Sequence, residues 1–288
     1  MCETFILNNG VEMPAIGFGT FPLKEELLSI IPETIKAGYK LYDTAWLYEN
    51  EEFLGKAINT SILSGGSKRE DFFITSKVNC YQIYAGKIHH KLRKILPPYK
   101  SVANAYKESC ERLRVEWLDL YLIHYPYPNF EKYWEQMVDI YMRKEVKAIG
   151  VSNFRQDDLK RLSNFSIVKP VVNQVEMSPY NTNKGILEYC KTNGIQVEAF
   201  SPFGRGLVTS ELMNEPILCR LAEKNDTTVA QIILRWLNQC GVVVIPRSSN
   251  LARIKANVDI WNFSLTDKEM LQIDSLNKNL STINGVRH

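Results

Sequence analysis

The chain has 288 residues, 45% of them hydrophobic and 23% charged, with a formal net charge of +3. That composition excludes a disordered chain and allows a sizeable core, and so small a net charge gives no reason to expect nucleic acid or an anionic membrane as the partner. The cysteines, Cys2, Cys80, Cys110, Cys190, Cys219 and Cys240, are too scattered for a zinc site or a C-x-x-C pair; with no signal-peptide pattern and no apolar run of about 18 residues, free, mostly buried thiols and a cytoplasmic location are expected.

The first element in chain order is a hairpin. Phe5–Leu7 and Val11–Met13 flank Asn9-Gly10, a two-residue turn signal, and the pair is expected to close the bottom of whatever follows. Eight apolar runs then read as strands: Ala15–Thr20, Lys40–Thr44, Phe72–Val78, Leu118–His124, Val146–Ser152, Val171–Met177, Ile195–Ser201 and Val242–Ser248. Between them lie patterns with helical spacing, among them Glu25–Ala37, Ser101–Leu113, Phe130–Arg143 and Thr228–Gln239. Strands alternating with helices imply parallel βαβ units. Eight such units suggest an α/β fold of the closed (β/α)8 TIM-barrel kind, with an open doubly wound sheet as the competitor. The polar residues that end nearly every run favour the barrel, because a barrel gathers all its strand ends at one mouth. No linker-like or low-complexity stretch breaks the pattern, so a single domain over residues 1–288 is expected.

Four of the strand-end residues make chemical sense together: Asp43, Tyr48, Lys77 and His124. A phenol is a poor acid at neutral pH, but a nearby ammonium favours its ionised form, a carboxylate can hold that ammonium, and an imidazole can direct a carbonyl oxygen towards the phenol. Each also has a plain reading. Tyr48 could be a packing aromatic, Lys77 an exposed strand end, Asp43 a turn cap and His124 a core histidine. Asn50 is expected to cap the helix that follows, with Glu51 and Glu52 in its first turn.

The chain resembles the aldo-keto reductase family along nearly its whole length. The resemblance rests on GFGT at Gly17, GYKLYDTAWLYENEEFLG at Gly38, ITSKV at Ile74, LDLYLIHYP at Leu118, KAIGVSNF at Lys147, VVNQVEMSPY at Val171, AFSPFG at Ala199 and IPRSSNLARIKAN at Ile245. It implies a barrel that binds NADPH without a Rossmann domain, and a metal-free NAD(P)H-dependent carbonyl reductase, of the NADP-linked alcohol dehydrogenase type, with Tyr48 as general acid. It further implies that Ser152, Asn153 and Gln174 hydrogen-bond the nicotinamide carboxamide, with Phe200 stacked on its ring, and that Gly19, Thr20 and Phe203 also bind the cofactor. Ser201 and the turn Gly204–Gly206, with Arg205, would follow the pyrophosphate; Arg247, Ser248, Arg253 and Asn257 would take the adenosine end. Two arginines suit a 2′-phosphate. A monomer, acting on a small carbonyl compound, is the default expectation. Retention of the barrel as a non-catalytic NADPH-binding or structural protein is the alternative.

Several positions depart from the family pattern. Phe21, Asn79 and Tyr125 stand where relatives often carry tryptophan in the substrate pocket, which implies a more polar pocket. An insertion over about residues 79–100 carries Lys87, Lys91, Arg93, Lys94 and Lys100 with His89 and His90; it reads either as a solvated basic loop or as a lid over an anionic substrate. The tail after about Ser275 is short, so specificity is expected to lean on that insertion.

Overall fold

The computed structural model describes residues 3–79 and 101–282; the insertion, with its lysines and histidines, lies almost wholly outside them. The chain opens on an antiparallel hairpin of β1 (Thr4–Ile6) and β2 (Glu12–Pro14). The remaining strands are β3 (Gly17–Gly19), β4 (Leu41–Asp43), β5 (Phe73–Val78), β6 (Leu120–Ile123), β7 (Ile149–Ser152), β8 (Val172–Glu176), β9 (Gln196–Phe200) and β10 (Val243–Val244). They form one parallel sheet in sequential order. The two edges meet: Ile16 bridges Val244, the Val244 amide donates to the Ala15 carbonyl at 3.1 Å, and the Gly19 amide donates to the Pro246 carbonyl at 3.0 Å. The eight strands therefore close into the expected (β/α)8 barrel.

The first and last strands are shorter than the apolar runs that mark them. Pro246 has no amide hydrogen, so the ladder beyond β10 cannot continue in both directions at the seam. Close approach there also needs a glycine. A Cβ on Gly19 would sit 2.9 Å from the Ile245 carbonyl oxygen.

Strand periodicity explains how one barrel is apolar below and polar above. Successive side chains alternate between interior and helix layer, and the interior rows run Phe73, Thr75, Lys77 on β5 and Val172, Gln174, Glu176 on β8, with Leu120, Leu122 and then His124 along β6. Their lower members join Leu7, Met13, Leu41, Ala148 and Val243 in a buried cluster at the barrel floor. The outward residues Tyr42, Ile74, Tyr121, Ile123, Val197 and Val244 belong to the larger core under the helices.

The hairpin closes the barrel bottom as expected. Asn8 Nδ2 donates to the Pro170 and Gly194 carbonyls, and Asn9 Nδ2 to that of Lys147, just before β8, β9 and β7. Its turn differs from expectation. Leu7 and Val11 are paired at 2.9 Å and the Gly10 amide returns to the Leu7 carbonyl, so the loop is Asn8–Gly10, with Gly10 at φ +86° supplying the left-handed residue that a three-residue hairpin needs.

The helices begin where the sequence offers caps. Ser101 accepts from the Asn104 amide ahead of the helix Val102–Leu113, and Thr228 with Gln231 forms a capping box before Val229–Gln239. Asn50 does not cap the helix Glu51–Leu63 with its side chain. Its amide is buried instead, donating to the Leu23 carbonyl and to Thr20, and accepting from Thr44 Oγ1 at 2.6 Å. Glu51 and Glu52 do lie in the first turn, but Glu51 is buried there: Ser76 Oγ donates to it at 2.6 Å, and burial raises its pKa. Of the thiols, Cys110 and Cys190 are buried, whereas Cys240 is half-buried and Cys219 exposed.

Candidate active site

The site is built on the upper ends of the strands. Asp43 ends β4, Lys77 is the penultimate residue of β5 and His124 follows β6; Tyr48 ends a 3-10 turn, Trp46–Tyr48, that leaves β4. Lys77 is completely buried. Its ammonium donates to Asp43 Oδ1 at 2.7 Å, to the Thr44 carbonyl at 2.9 Å and to the Tyr48 hydroxyl at 3.2 Å. The imidazole of His124 stands edge-on to the Tyr48 ring, centroids 5.6 Å apart. All four side chains proposed as the catalytic set thus converge at the barrel mouth.

Their charges follow from this packing. Burial opposes a charge on Lys77, but Asp43 and then Tyr48 outweigh it and hold the pKa above the ordinary lysine value. His124 is driven well below the ordinary histidine value by burial and by the Lys77 charge, so its imidazole is neutral. Its Nδ1 has no hydrogen-bond partner among the described residues. Tyr48 corrects the expectation of an acidified phenol: burial pushes it up to about 12, and the Lys77 charge only partly offsets that. The half-buried phenol keeps its proton throughout the working pH range.

Around these four lie the residues expected to hold the cofactor and substrate. The Ser152 hydroxyl donates to the Gln174 carbonyl at 3.0 Å, and Asn153, left-handed at φ +62°, donates through Nδ2 to the His124 carbonyl and to Ser152 Oγ. Gln174 Nε2 donates to Asp43 Oδ2 at 2.7 Å and to Glu198 Oε2 at 2.5 Å. An amide nitrogen has two hydrogens, so Gln174 has its carbonyl oxygen left for a ligand. Thr20 is fully buried, its hydroxyl donating to the Asp43 carbonyl and accepting from Asn50.

Phe21 and Tyr125 flank the Tyr48–His124 pair. The Phe21 ring lies 5.0 Å from Tyr48, and Tyr125 stacks on His124 at 4.6 Å with planes 7° apart. Asn79 is buried at the end of β5. Phe200 is half-exposed at the end of β9, and the Arg205 guanidinium lies within 6 Å of both its ring and that of Phe21 while donating to Ser201 Oγ at 2.9 Å. Phe203 is half-buried in the same turn. Arg247, Ser248, Arg253 and Asn257 sit apart from this group, on the segment leaving β10 and on the helix Leu251–Val258. Both arginines are exposed, Ser248 and Asn257 buried, and Asn250 caps the helix by accepting from the Arg253 amide at 3.1 Å.

Three contributors were missed in the sequence. Thr44 serves Lys77 through its backbone carbonyl, which no side-chain pattern announces. Glu198 could have been noticed as a carboxylate inside the apolar run QVEAF. Glu176, the last residue of β8, holds the chain's tail: Ser281 Oγ donates to it at 2.6 Å, the Thr282 amide at 2.8 Å, and the Thr282 hydroxyl also donates. The tail as far as Thr282 is therefore held at the upper end of β8.

Fold and strand-end chemistry together define a barrel oxidoreductase, and the comparisons agree. The description of the Aldo/keto reductase family matches residues 15–278. Glyoxal reductase of Bacillus subtilis is 41% identical over 279 residues, covering 96% of this chain and 93% of that protein. The 9,11-endoperoxide prostaglandin H2 reductase of Trypanosoma cruzi is 37% identical, covering 94% and 90%. Among solved structures, a Bombyx mori aldo-keto reductase in complex with NADP superposes with a TM-score of 0.89 at 31% identity, covering 99% of this chain and 96% of that one. The chain belongs to the aldo/keto reductase family.

Proposed function

We propose that the protein reduces an aldehyde or ketone to an alcohol with NADPH, Tyr48 acting as general acid. The observation that carries this reading is the buried Asp43–Lys77 pair reaching the Tyr48 hydroxyl at 3.2 Å beside a neutral His124. Neutral imidazole can hydrogen-bond a carbonyl oxygen without competing for its charge, and so aim that oxygen at the phenol. NADPH, when bound, supplies the hydride that goes to the carbonyl carbon. The chain's own part is to donate the Tyr48 proton to the oxygen as negative charge builds there, with the Lys77 ammonium stabilising the phenolate left behind. Solvent then returns the proton.

The residues present fit the cofactor. Phe200 offers a half-exposed ring for stacking, and two exposed guanidiniums at the start of the helix Leu251–Val258 suit a phosphate dianion there. Two solved relatives hold NADP or NADPH, which supports this choice. The relative called glyoxal reductase makes small α-oxo aldehydes the first substrates to try.

The test is a titration of NADPH and NADH against tryptophan fluorescence, followed by a panel of aldehydes and ketones scored by NADPH oxidation. Tight NADPH binding with turnover is expected. Tyr48→Phe should lower reduction by about a hundredfold or more and leave NADPH affinity nearly unchanged. Absence of NADPH binding would overturn the reading, and binding without turnover on the whole panel would favour a non-catalytic barrel.

A further inference from the structure

The barrel interior holds a second carboxyl group that the proposed chemistry does not use. Glu198 on β9 is completely buried and stands in register with Gln174 on β8, which itself pairs with Ser152 on β7. Parallel register partners share a face of the sheet, so Glu198 lies in the same interior layer as the nicotinamide-side residues. Its Oε2 accepts from Gln174 Nε2 at 2.5 Å, and the same nitrogen donates to Asp43 Oδ2 at 2.7 Å. Asp43 Oδ1 in turn accepts from Lys77, and Lys77 reaches Tyr48. One amide thus bridges two carboxyl groups, and a continuous row runs from Glu198 to the proton donor. The other oxygen of Glu198 is buried without a partner among the described residues.

We infer that Glu198 is a positioning residue for proton donation: through the Gln174 amide it fixes Asp43, and it sets the charge balance of the row that ends on Tyr48. The inference rests on the carbonyl-reductase reading above. The charged and titratable groups facing Glu198 are Asp43 from β4 and Lys77 from β5; β8 contributes the neutral Gln174, and its β10 neighbour Val243 is apolar. Lys77 balances one carboxylate, not two. Burial first, and then the Asp43 charge, push Glu198 up to about 8, so near neutral pH it is a neutral acid and the row carries one charge of each sign. Above that pH a second negative charge enters the row, just where hydride transfer makes the substrate oxygen negative. Reduction should therefore weaken as Glu198 ionises, well below the pH at which Tyr48 itself would titrate.

Two substitutions separate the roles. Glu198→Gln keeps an acceptor for Gln174 and cannot ionise. It should keep reduction near the wild-type level at about pH 6.5 and remove the alkaline limb, which in the wild type should cost about tenfold in kcat/KM between about pH 7 and pH 9 if the protonated form alone turns over. Glu198→Leu removes the acceptor; it should weaken NADPH binding severalfold and lower kcat at every pH. Infrared difference spectra of the free protein between about pH 6 and pH 9 give a readout independent of turnover, a carboxylic-acid band lost on alkalisation in the wild type and absent in Glu198→Gln. A wild type that reduces carbonyls with the same alkaline limb in Glu198→Gln would overturn the inference and leave the carbonyl-reductase reading standing. A wild type that reduces nothing would remove that reading itself, and the infrared spectra would still report on Glu198.

Discussion

Lys77 carries a full charge in a place with no access to water, and the cost of that is met by three oxygen partners and one opposite charge. Removing one member of a buried pair is worse than removing both, because it strands the other charge. Lys77→Met should therefore destabilise the fold by about 3–5 kcal/mol and, on the proposed mechanism, abolish reduction, since Tyr48 would lose the ammonium proposed to stabilise its phenolate. Adding Asp43→Asn to Lys77→Met should return much of the stability and none of the activity. Urea denaturation of the two variants measures the first effect and NADPH oxidation the second; equal stability of the single and double variants would mean that the pair is not coupled as its 2.7 Å contact implies.

At the scale of elements, the mouth is assembled from strand ends and from a tail that is tied to one of them. Glu176 accepts from three donors on Ser281 and Thr282, the Thr282 amide reaching both its oxygens, while the Lys278 and Leu280 amides donate to the Tyr180 carbonyl and Asn277 Oδ1 accepts from the Thr182 amide. Hydrogen bonds to a charged acceptor contribute about 1.5–3 kcal/mol, so Glu176→Ala should speed hydrogen exchange of the Thr282 amide by at least about tenfold while amides of β5 and β6 stay protected. Unchanged exchange at Thr282 would show that the Tyr180 contacts alone hold the tail. This anchor also shows what the sequence hides. The eight strands were readable because short apolar runs alternate with helical patterns and nearly all end on a polar residue, and Asp43, Lys77 and His124 were readable as strand ends. Asn50 was misread as a side-chain cap because its position before a helix fits that role; its buried amide instead ties together the ends of the neighbouring strands β3 and β4 at Thr20 and Thr44. The direction of the Tyr48 shift was misread because Lys77 is visible in a sequence and desolvation is not. Contacts such as Glu176 with Thr282, more than a hundred positions apart in the chain, follow from the closed barrel and not from any local pattern.

For the molecule as a whole, two buried groups make stability depend on pH in opposite senses. His124 is neutral in the fold and titrates near its ordinary value of 6.5 when unfolded, so below that value the unfolded chain binds the extra proton and stability falls as pH drops. Glu198 works the other way. Its folded pKa is raised from 4.5 to about 8, so the native state binds more protons across that window and stability declines as pH rises through it, by no more than about 5 kcal/mol. Glu198→Gln isolates this contribution, because glutamine resembles the protonated acid and does not titrate. Its stability relative to the wild type should be lowest near pH ~4, where Glu198 is protonated in both states. It should climb between about pH 4.5 and pH 8 and level off above, once Glu198 is ionised in both. Urea denaturation at a series of pH values supplies the curve. A difference that stays flat with pH would mean that Glu198 titrates alike in the folded and unfolded chain, against the shift expected from its complete burial beside Asp43.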